Sequence, residues 1–294
     1  MIVGRESPSR KVFHAANVLF FLLIDIMCLY PLWYILVQSF SSGSLAPNAI
    51  FWPINFTTTN YTRLLENGEV FSAFGISVAR TVSGTTLTVF ACMLLGYLFS
   101  KKEMPFRKFL YRMLIITMYV SGGLIPTFLV YKAYHLNNTF WVYIVPSIIS
   151  GYYVILIKTY VEQLPASVEE SAMIDGAGTL CIFWHIILPM SLPIIATIAI
   201  YASVAQWNSW FDNHIYAINN KNIQTLQYML YKYIQEAQQI AKEIKEKNPE
   251  AKIELTPRGV RMTVTMLTVI PVLFIYPFFQ RFLIKGLLIG AVKG

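Results

Sequence analysis

Six apolar runs, each at or near membrane-crossing length, set the limits on what this chain can fold into. They lie near Phe13–Phe40, Val70–Phe99, Phe109–Tyr131, Phe140–Tyr160, Ile186–Phe211 and Val260–Leu283. A helix needs roughly 20 mostly apolar residues to cross the hydrocarbon of a bilayer. Only helices and closed barrels satisfy every backbone hydrogen bond there. The composition agrees: 56% of the 294 residues are hydrophobic, 13% are charged, and the mean hydropathy is +0.53, whereas a soluble domain carries about 25% charge. The expectation is an all-α integral membrane protein with six transmembrane helices. The first run is long, follows a basic segment and lacks a clear small-residue cleavage site, so it reads as a span and not as a cleaved signal. Asp25 within it is costly in lipid and is expected to face protein or water.

The net charge of +8 is distributed as a membrane topology would require, which argues against a nucleic-acid partner. Arg5, Arg10 and Lys11 precede the first run. Lys101, Lys102, Arg107, Lys108 and Arg112 lie between the second and third, and Arg281, Lys285 and Lys293 close the chain. With six crossings these groups share one side, which the positive-inside rule makes the cytoplasm, together with both termini. The segment 212–259 also holds six lysines and Arg258, but it is long and holds five glutamates as well, so its charge ranks below that of the short loops. Cys28, Cys92 and Cys181 have no metal-ligand spacing and are expected to be free and buried. No metal or cofactor site is expected.

On the opposite side, residues 41–69 are rich in turn formers and aromatics and are expected to form a small cap. The sequons at Asn55 and Asn60 are too common a pattern to carry weight. Within 212–259, Leu226, Met229, Leu230, Ile234, Ile240 and Ile244 recur at roughly helical spacing. This predicts one or two amphipathic helices outside the membrane, either a solvated cap or a docking surface for an extracytoplasmic partner.

The segment Glu162–Pro189 interrupts the apolar pattern on the cytoplasmic side. Leu164-Pro165 stops one helix, and Ser167 with Glu170 predicts a capping box for the next. Asp175-Gly176 predicts a break, since glycine takes the left-handed conformation cheaply. The stretch Thr179–Leu188 is apolar, and Pro189 and Pro193 predict a bend into the following run. The sequence thus predicts two short helices folded back on each other, with small Ser171 and Ala172 allowing close approach of a partner. Glu169, Glu170 and Asp175 have no histidine cluster or nucleophile–base pair around them, so capping, solvation and partner contacts explain them better than hydrolysis. No G-x-x-x-x-G-K-[ST] phosphate loop occurs in the chain.

E-S-A-M-I-D-G-A (Glu170–Ala177), then F-W-H-I-I-L-P (Phe183–Pro189) and Pro193, resembles the EAA coupling motif of ATP-driven importer permeases. Glu170, Ala172, Asp175, Gly176, Ala177, Ile186, Leu188 and Pro189 match, and Ser171 replaces a small alanine. The resemblance covers nearly the whole chain. It implies the ABC importer type I permease (MetI-like) fold as one transmembrane domain in the bacterial inner membrane, with no catalysis in this subunit. It further implies a second homologous permease subunit, a dimer of cytoplasmic ATPase subunits that bind ATP and Mg, and an extracytoplasmic solute-binding protein. ATPase contact would run through Glu169, Glu170, Ser171, Ala172, Asp175, Gly176, Ala177, Leu188 and Pro189.

The ending GLLIGAVKG (286–294) is similar to the G-G-V-K-G tail of MalG-like maltose permeases, apart from Ala291. That likeness implies that Val292, Lys293 and Gly294 touch the ATPase. In AQWNSWFDN (205–213), Trp207 and Trp210 are suited to stack on sugar faces, or else to anchor at the membrane interface. Gln206, Asn208 and Asn213 are suited to bond hydroxyls, and Asp212 to orient the substrate. The sequence also resembles the LplB/YtcP-type branch for complex or acidic oligosaccharides, and in particular the smaller permease of alginate-oligosaccharide importers. A polyanionic substrate would be guided by Arg80, Lys132 or Lys221. The alternatives are an importer of a neutral oligosaccharide, an importer of another small solute, or a non-transporting membrane scaffold.

Overall fold

The computed structural model describes residues 8–43, 46–66, 68–235, 258–259 and 261–273. Every regular element among the described residues is helical. The chain divides into two compact units, 1–67 with 232–269 and 68–231 with 270–294.

In the first unit, α1 (Pro8–Ser39) is followed by a 3-10 turn (Ala46–Asn48) and α2 (Thr59–Glu66). The loop folds back on the last turns of α1, because polar groups there bond across the chain reversal. Gln38 Nε2 donates to the carbonyls of Ala46 (2.9 Å) and Ala49 (2.7 Å), and Asn60 Nδ2 donates to Ser39 O (3.0 Å). Phe40 stacks between Phe56 and Tyr61. Residues 9–31 of α1, by contrast, are exposed throughout, including Asp25 and a run of phenylalanines and leucines. An apolar surface of that length is stable only against lipid or another chain. Cys28 lies on it and is exposed, as is Cys181; of the three free cysteines only Cys92 is buried.

The second unit is organised around α3 (Glu69–Ser100). It packs against α6 (Gly151–Val161) and α10 (Leu192–Asn208), with α4 (Arg107–Tyr119), α5 (Leu124–Ala133) and α11 (Phe211–Tyr216) around them. Glycines set the crossing distances. A Cβ on Gly96 would lie 2.5 Å from Ile157 Cγ2, and one on Gly84 would lie 2.7 Å from Gln206 Nε2. Close backbone approach at small residues is how helices associate where burial from water does not drive them together. Around these crossings Met93, Tyr97, Ile157, Phe183 and Ile198 are fully buried.

Among the described residues, two helices, Ser9–Ser39 and Glu69–Ser100, are long and apolar enough to cross a membrane unaided, or up to four if each of two bent pairs is one span. At the other four runs expected to cross, the helix is broken or only partly described. The third breaks into α4 and α5, because Gly123 adopts φ +82° and Val120 is extended. The fourth opens as 3-10 turns around Pro146 and joins α6 at 45°. The fifth is bent by 78° between Thr179–Met190 and Leu192–Asn208, where Pro189 and Pro193 each remove a backbone donor. Of the sixth, the helix Arg261–Leu273 is described, and residues 274–283 lie outside the described set.

The segment 212–231 packs back on α3 and the 3-10 turns. Leu226 N donates to Ser77 Oγ (2.8 Å), and Tyr143 OH donates to Ile223 O (2.9 Å). Residues 226–235 are helical, as the spacing predicts, with Leu226 and Met229 buried; Ile240 and Ile244 lie outside the described residues.

Gly96→Leu should overpack the α3–α6 crossing and cost about 1–3 kcal/mol, read as a lowered thermal midpoint in detergent. Gly75→Ala is the control, because a Cβ there meets nothing within 4 Å. Equal midpoints for the two variants would contradict the packing described.

Candidate functional site

The interruption at 162–189 folds as the sequence predicts in outline. α7 (Ala166–Ile174) is followed by α8 (Thr179–Ile182), a π-turn (Phe183–Ile187) and α9 (Leu188–Met190) before the bend into α10. The capping box at Ser167 does not form. Pro165 occupies the N-cap, its φ of −60° already suited to helix entry, and the helix starts at Ala166, which leaves Ser167 inside the first turn. Its carbonyl accepts from Ser171 Oγ (2.7 Å).

The C-terminus of α7 explains the Asp-Gly-Ala sequence. Gly176 is left-handed at φ +82°. Gly176 N–H bonds Met173 O (3.0 Å) and Ala177 N–H bonds Ala172 O (2.9 Å). This is the Schellman pattern, completed by apolar contact between the residues three before and two after the helix end. Ala172 and Ala177 are those residues, and both pack on the buried core. The second segment is anchored by Ile182, Phe183 and Ile187, all buried. The product is a short helix with an exposed face, joined through a packed π-turn to α10.

Consecutive acids on α7 face different ways. Glu170 is exposed, with Ser171, Asp175, Gly176 and Pro189; Ala172, Ala177 and Leu188 are half-buried. Glu169 is half-buried. It accepts from Tyr97 OH (3.0 Å), and both its oxygens are paired with Lys101 Nζ. Nearby Glu162 is shared by Arg107 (3.0 Å) and Lys158 (2.7 Å).

A cavity of about 460 Å³ lies elsewhere in the same unit, between α3, α10, α11 and the 3-10 turns. Arg80, buried at 2% exposure, is part of its wall. Arg80 Nε donates to Gln206 Oε1 (2.9 Å), and Nη1 donates to Ser209 O (3.1 Å) and Asp212 Oδ1 (3.1 Å). Nη2 pairs with Asp212 Oδ2. Gln206 Nε2 in turn donates to Ser147 Oγ (2.8 Å), and the guanidinium lies 4.7 Å from the Tyr143 ring centroid. Tyr131, Tyr153 and Tyr216 also line the cavity. Burial and then the Asp212 charge push the Tyr216 phenol up, so it remains a neutral hydroxyl.

Of the six residues expected along a substrate path, Gln206 and Asp212 reach this cavity. Trp207 is buried edge-on to Phe74, and Asn213 is fully buried and accepts from Thr225 N (2.8 Å). Asn208 is exposed and accepts from Gln227 (3.1 Å), while Trp210 stacks on Tyr231 at 4.3 Å. The lining tyrosines carry no sequence signal that separates them from the other tyrosines of the chain. Arg80 is not an unpaired cation; Lys132 and Lys221 are exposed. Val292, Lys293 and Gly294 lie outside the described residues. Among the described residues, no cluster of three or more His, Cys, Asp or Glu is placed to hold a metal.

The family model described as "Binding-protein-dependent transport system inner membrane component" matches residues 89–289, more than half of the chain and including all of α7 to α10. The chain belongs to this family of ABC-transporter permeases. It is a non-catalytic membrane subunit by that classification. It is 34% identical to Protein LplC of Bacillus subtilis (strain 168), over 98% of this chain and 97% of that one. It is 32% identical to the polygalacturonan/rhamnogalacturonan transport system permease protein YtcP of the same organism, over 94% and 96%. Its fold matches a chain of a bacterial ABC transporter involved in import of the acidic polysaccharide alginate, with a TM-score of 0.80 and 24% identity. That match covers 94% of this chain and 98% of the other.

Arg80→Met should destabilise the permease by about 3 kcal/mol, because it leaves Asp212 and Gln206 without their buried partner. Asp212→Asn should cost less, since Arg80 keeps Gln206 and Ser209. Combining the two should recover part of the loss. Thermal unfolding in detergent measures the series, and a double variant worse than the sum of the singles would refute the pairing.

Proposed function

We propose that the chain is one permease subunit of an ATP-driven oligosaccharide importer, working by alternating access across the bacterial cytoplasmic membrane. The observation that carries this reading is α7: a short, Schellman-capped helix with an exposed Glu170 face, joined to α10 through α8, the packed π-turn and the bend at Ser191. Such an element is suited to lodge in a cleft of a partner and pass its movement to the membrane helices. Glu170, Ser171, Asp175 and Gly176 form the face offered to the ATPase, and Lys293 with its neighbours adds a second contact from the tail. A second permease subunit, an ATPase dimer that binds ATP and Mg, and an extracytoplasmic binding protein complete the machine. In this reading the chain crosses the membrane six times, the crossings broken near Gly123, Pro146 and Ser191, with α7 and both termini in the cytoplasm. Irregular backbone at membrane depth is tolerated where it is packed in protein or lines a cavity, and the breaks at Pro146 and Ser191 are of that kind.

The proposed substrate is an acidic, alginate-like oligosaccharide. The naming of YtcP for polygalacturonan and rhamnogalacturonan supports this, and so does a cavity whose lining is rich in phenol, hydroxyl and amide groups suited to sugar hydroxyls. Arg80 is neutralised by Asp212, so charge compensation for a carboxylate falls to the second permease. The same pairing favours the second reading, a neutral oligosaccharide.

Uptake into proteoliposomes holding both permeases, the ATPases and the binding protein tests the proposal. Alginate oligosaccharide should accumulate and neutral glucans should not; the reverse preference selects the second reading, and no ATP-dependent uptake of either removes the carbohydrate assignment. Glu170→Lys should lower substrate-stimulated ATP hydrolysis about tenfold, a typical size for coupling between sites. Unchanged stimulation would remove α7 from the coupling role.

A further inference from the structure

We infer that Glu169 is not a partner contact but an internal clamp, and that through it α3 transmits motion between α7 and the cavity. The inference rests on the reading of α7 as the coupling helix. Residues one apart on a helix point about 100° apart, so the adjacent acids Glu169 and Glu170 serve different surfaces. Glu169 turns inward, where Tyr97 OH donates to Oε1 (3.0 Å) and Lys101 pairs with both oxygens. Lys101 Nζ also lies 4.6 Å from the Tyr97 ring centroid. Tyr97 is itself fixed, being 1% exposed with its ring 5.3 Å from that of Phe183 in the π-turn.

The last turn of α3 therefore grips both halves of the 162–189 segment at once: α7 by Glu169 and the π-turn by Phe183. The pairing is more than a solvated surface contact, because the Lys101 and Glu169 side chains are only 21% and 16% exposed. No residue of α7 is fully buried, so the helix has little apolar anchorage of its own beyond Ala172. The clamp supplies what packing does not.

About 25 Å along the same helix, at roughly 1.5 Å per residue, Arg80 holds Gln206, Ser209 and Asp212 at the cavity. α3 thus holds α7 at its C-terminal end, through Tyr97 and the C-cap residue Lys101, and the cavity wall at Arg80 within the helix. A shift of α7 then moves α3 as a rigid body and changes the cavity with it, without any side-chain relay between them. Tyr97 and Lys101 are positioning residues in this scheme.

The test uses the complete transporter with ATPases and binding protein in proteoliposomes. Lys101→Met should keep the ATPases bound and basal hydrolysis unchanged, yet lower substrate-stimulated hydrolysis about tenfold. Tyr97→Phe, which keeps the packing and removes one donor, should lower it less. The reversed pair K101E/E169K should restore stimulation. The clamp is overturned if K101M leaves stimulation at the wild-type level, if the reversed pair fails to rescue, or if E169Q strips the ATPases from the complex as a direct contact would. Glu170→Lys run alongside separates the two claims: if it uncouples while K101M does not, the clamp fails and the coupling helix stands. If it too is silent, the coupling reading itself has failed.

Discussion

At Gly84 and Gly96 the backbone of α3 lies directly against Gln206 of α10 and Ile157 of α6, leaving no room for a side chain at either glycine, and the second unit is arranged around that approach. In lipid, burial of apolar surface from water does not drive helices together, so association rests on close van der Waals contact and on polar groups that find partners. α3 supplies both. Its small residues let neighbours in, and its few polar side chains meet backbone where the neighbours are irregular. Thr88 Oγ1 donates to Ser147 O (3.1 Å), and Cys92 Sγ accepts from Ser150 N (3.5 Å), at the break ahead of α6. Those backbone groups would otherwise be unsatisfied in an apolar surrounding.

The breaks and the functional surfaces coincide for that reason. A straight span has nothing to offer a ligand but side chains, whereas the 3-10 turns around Pro146 and the end of α10 open a space between them that Arg80 reaches. The bend at Ser191 turns the fifth run out of the bundle, so that α8 and the π-turn pack beneath it and α7 is left on the surface. Ser191 N–H is still satisfied, by Ile187 O (2.9 Å) and Leu188 O (3.2 Å).

Much of this was legible in the sequence, and the exceptions have physical causes. Gly176 and the proline pair Pro189 and Pro193 were readable because their backbone preferences act locally, wherever the rest of the chain lies. The sequence points to a Ser167 capping box because Pro165 reads as a helix stop; the same fixed φ also makes it an entry, which sets the helix start two residues earlier. The breaks of the third and fourth runs were hidden because composition, which registers apolar content, says little about where tertiary packing favours 3-10 turns over α-helix. Of the residues expected at the end of the fifth run, Gln206 and Asp212 line the cavity, whereas Trp207 and Asn213 pack into the protein, since facing direction at a helix end depends on the bend that follows it.

Least legible was the division of labour among the charged residues. In sequence Arg80 is a lone cation suited to an anionic ligand, and Glu169 and Glu170 are both expected to contact the ATPase. The fold distinguishes them by partner. Asp212, more than a hundred residues away, occupies the Arg80 fork, so that the guanidinium organises the cavity wall and does not attract charge to it. Lys101 occupies Glu169 and leaves Glu170 free. Both pairings place a charge where desolvation would be costly if it stood alone, and both tie a distant segment to α3. Pairing two such fixtures on one unbroken helix restricts the relative movement of α7 and the cavity more than apolar contact would. An apolar interface can slide, whereas an ion pair with a fixed hydrogen-bond geometry holds its register.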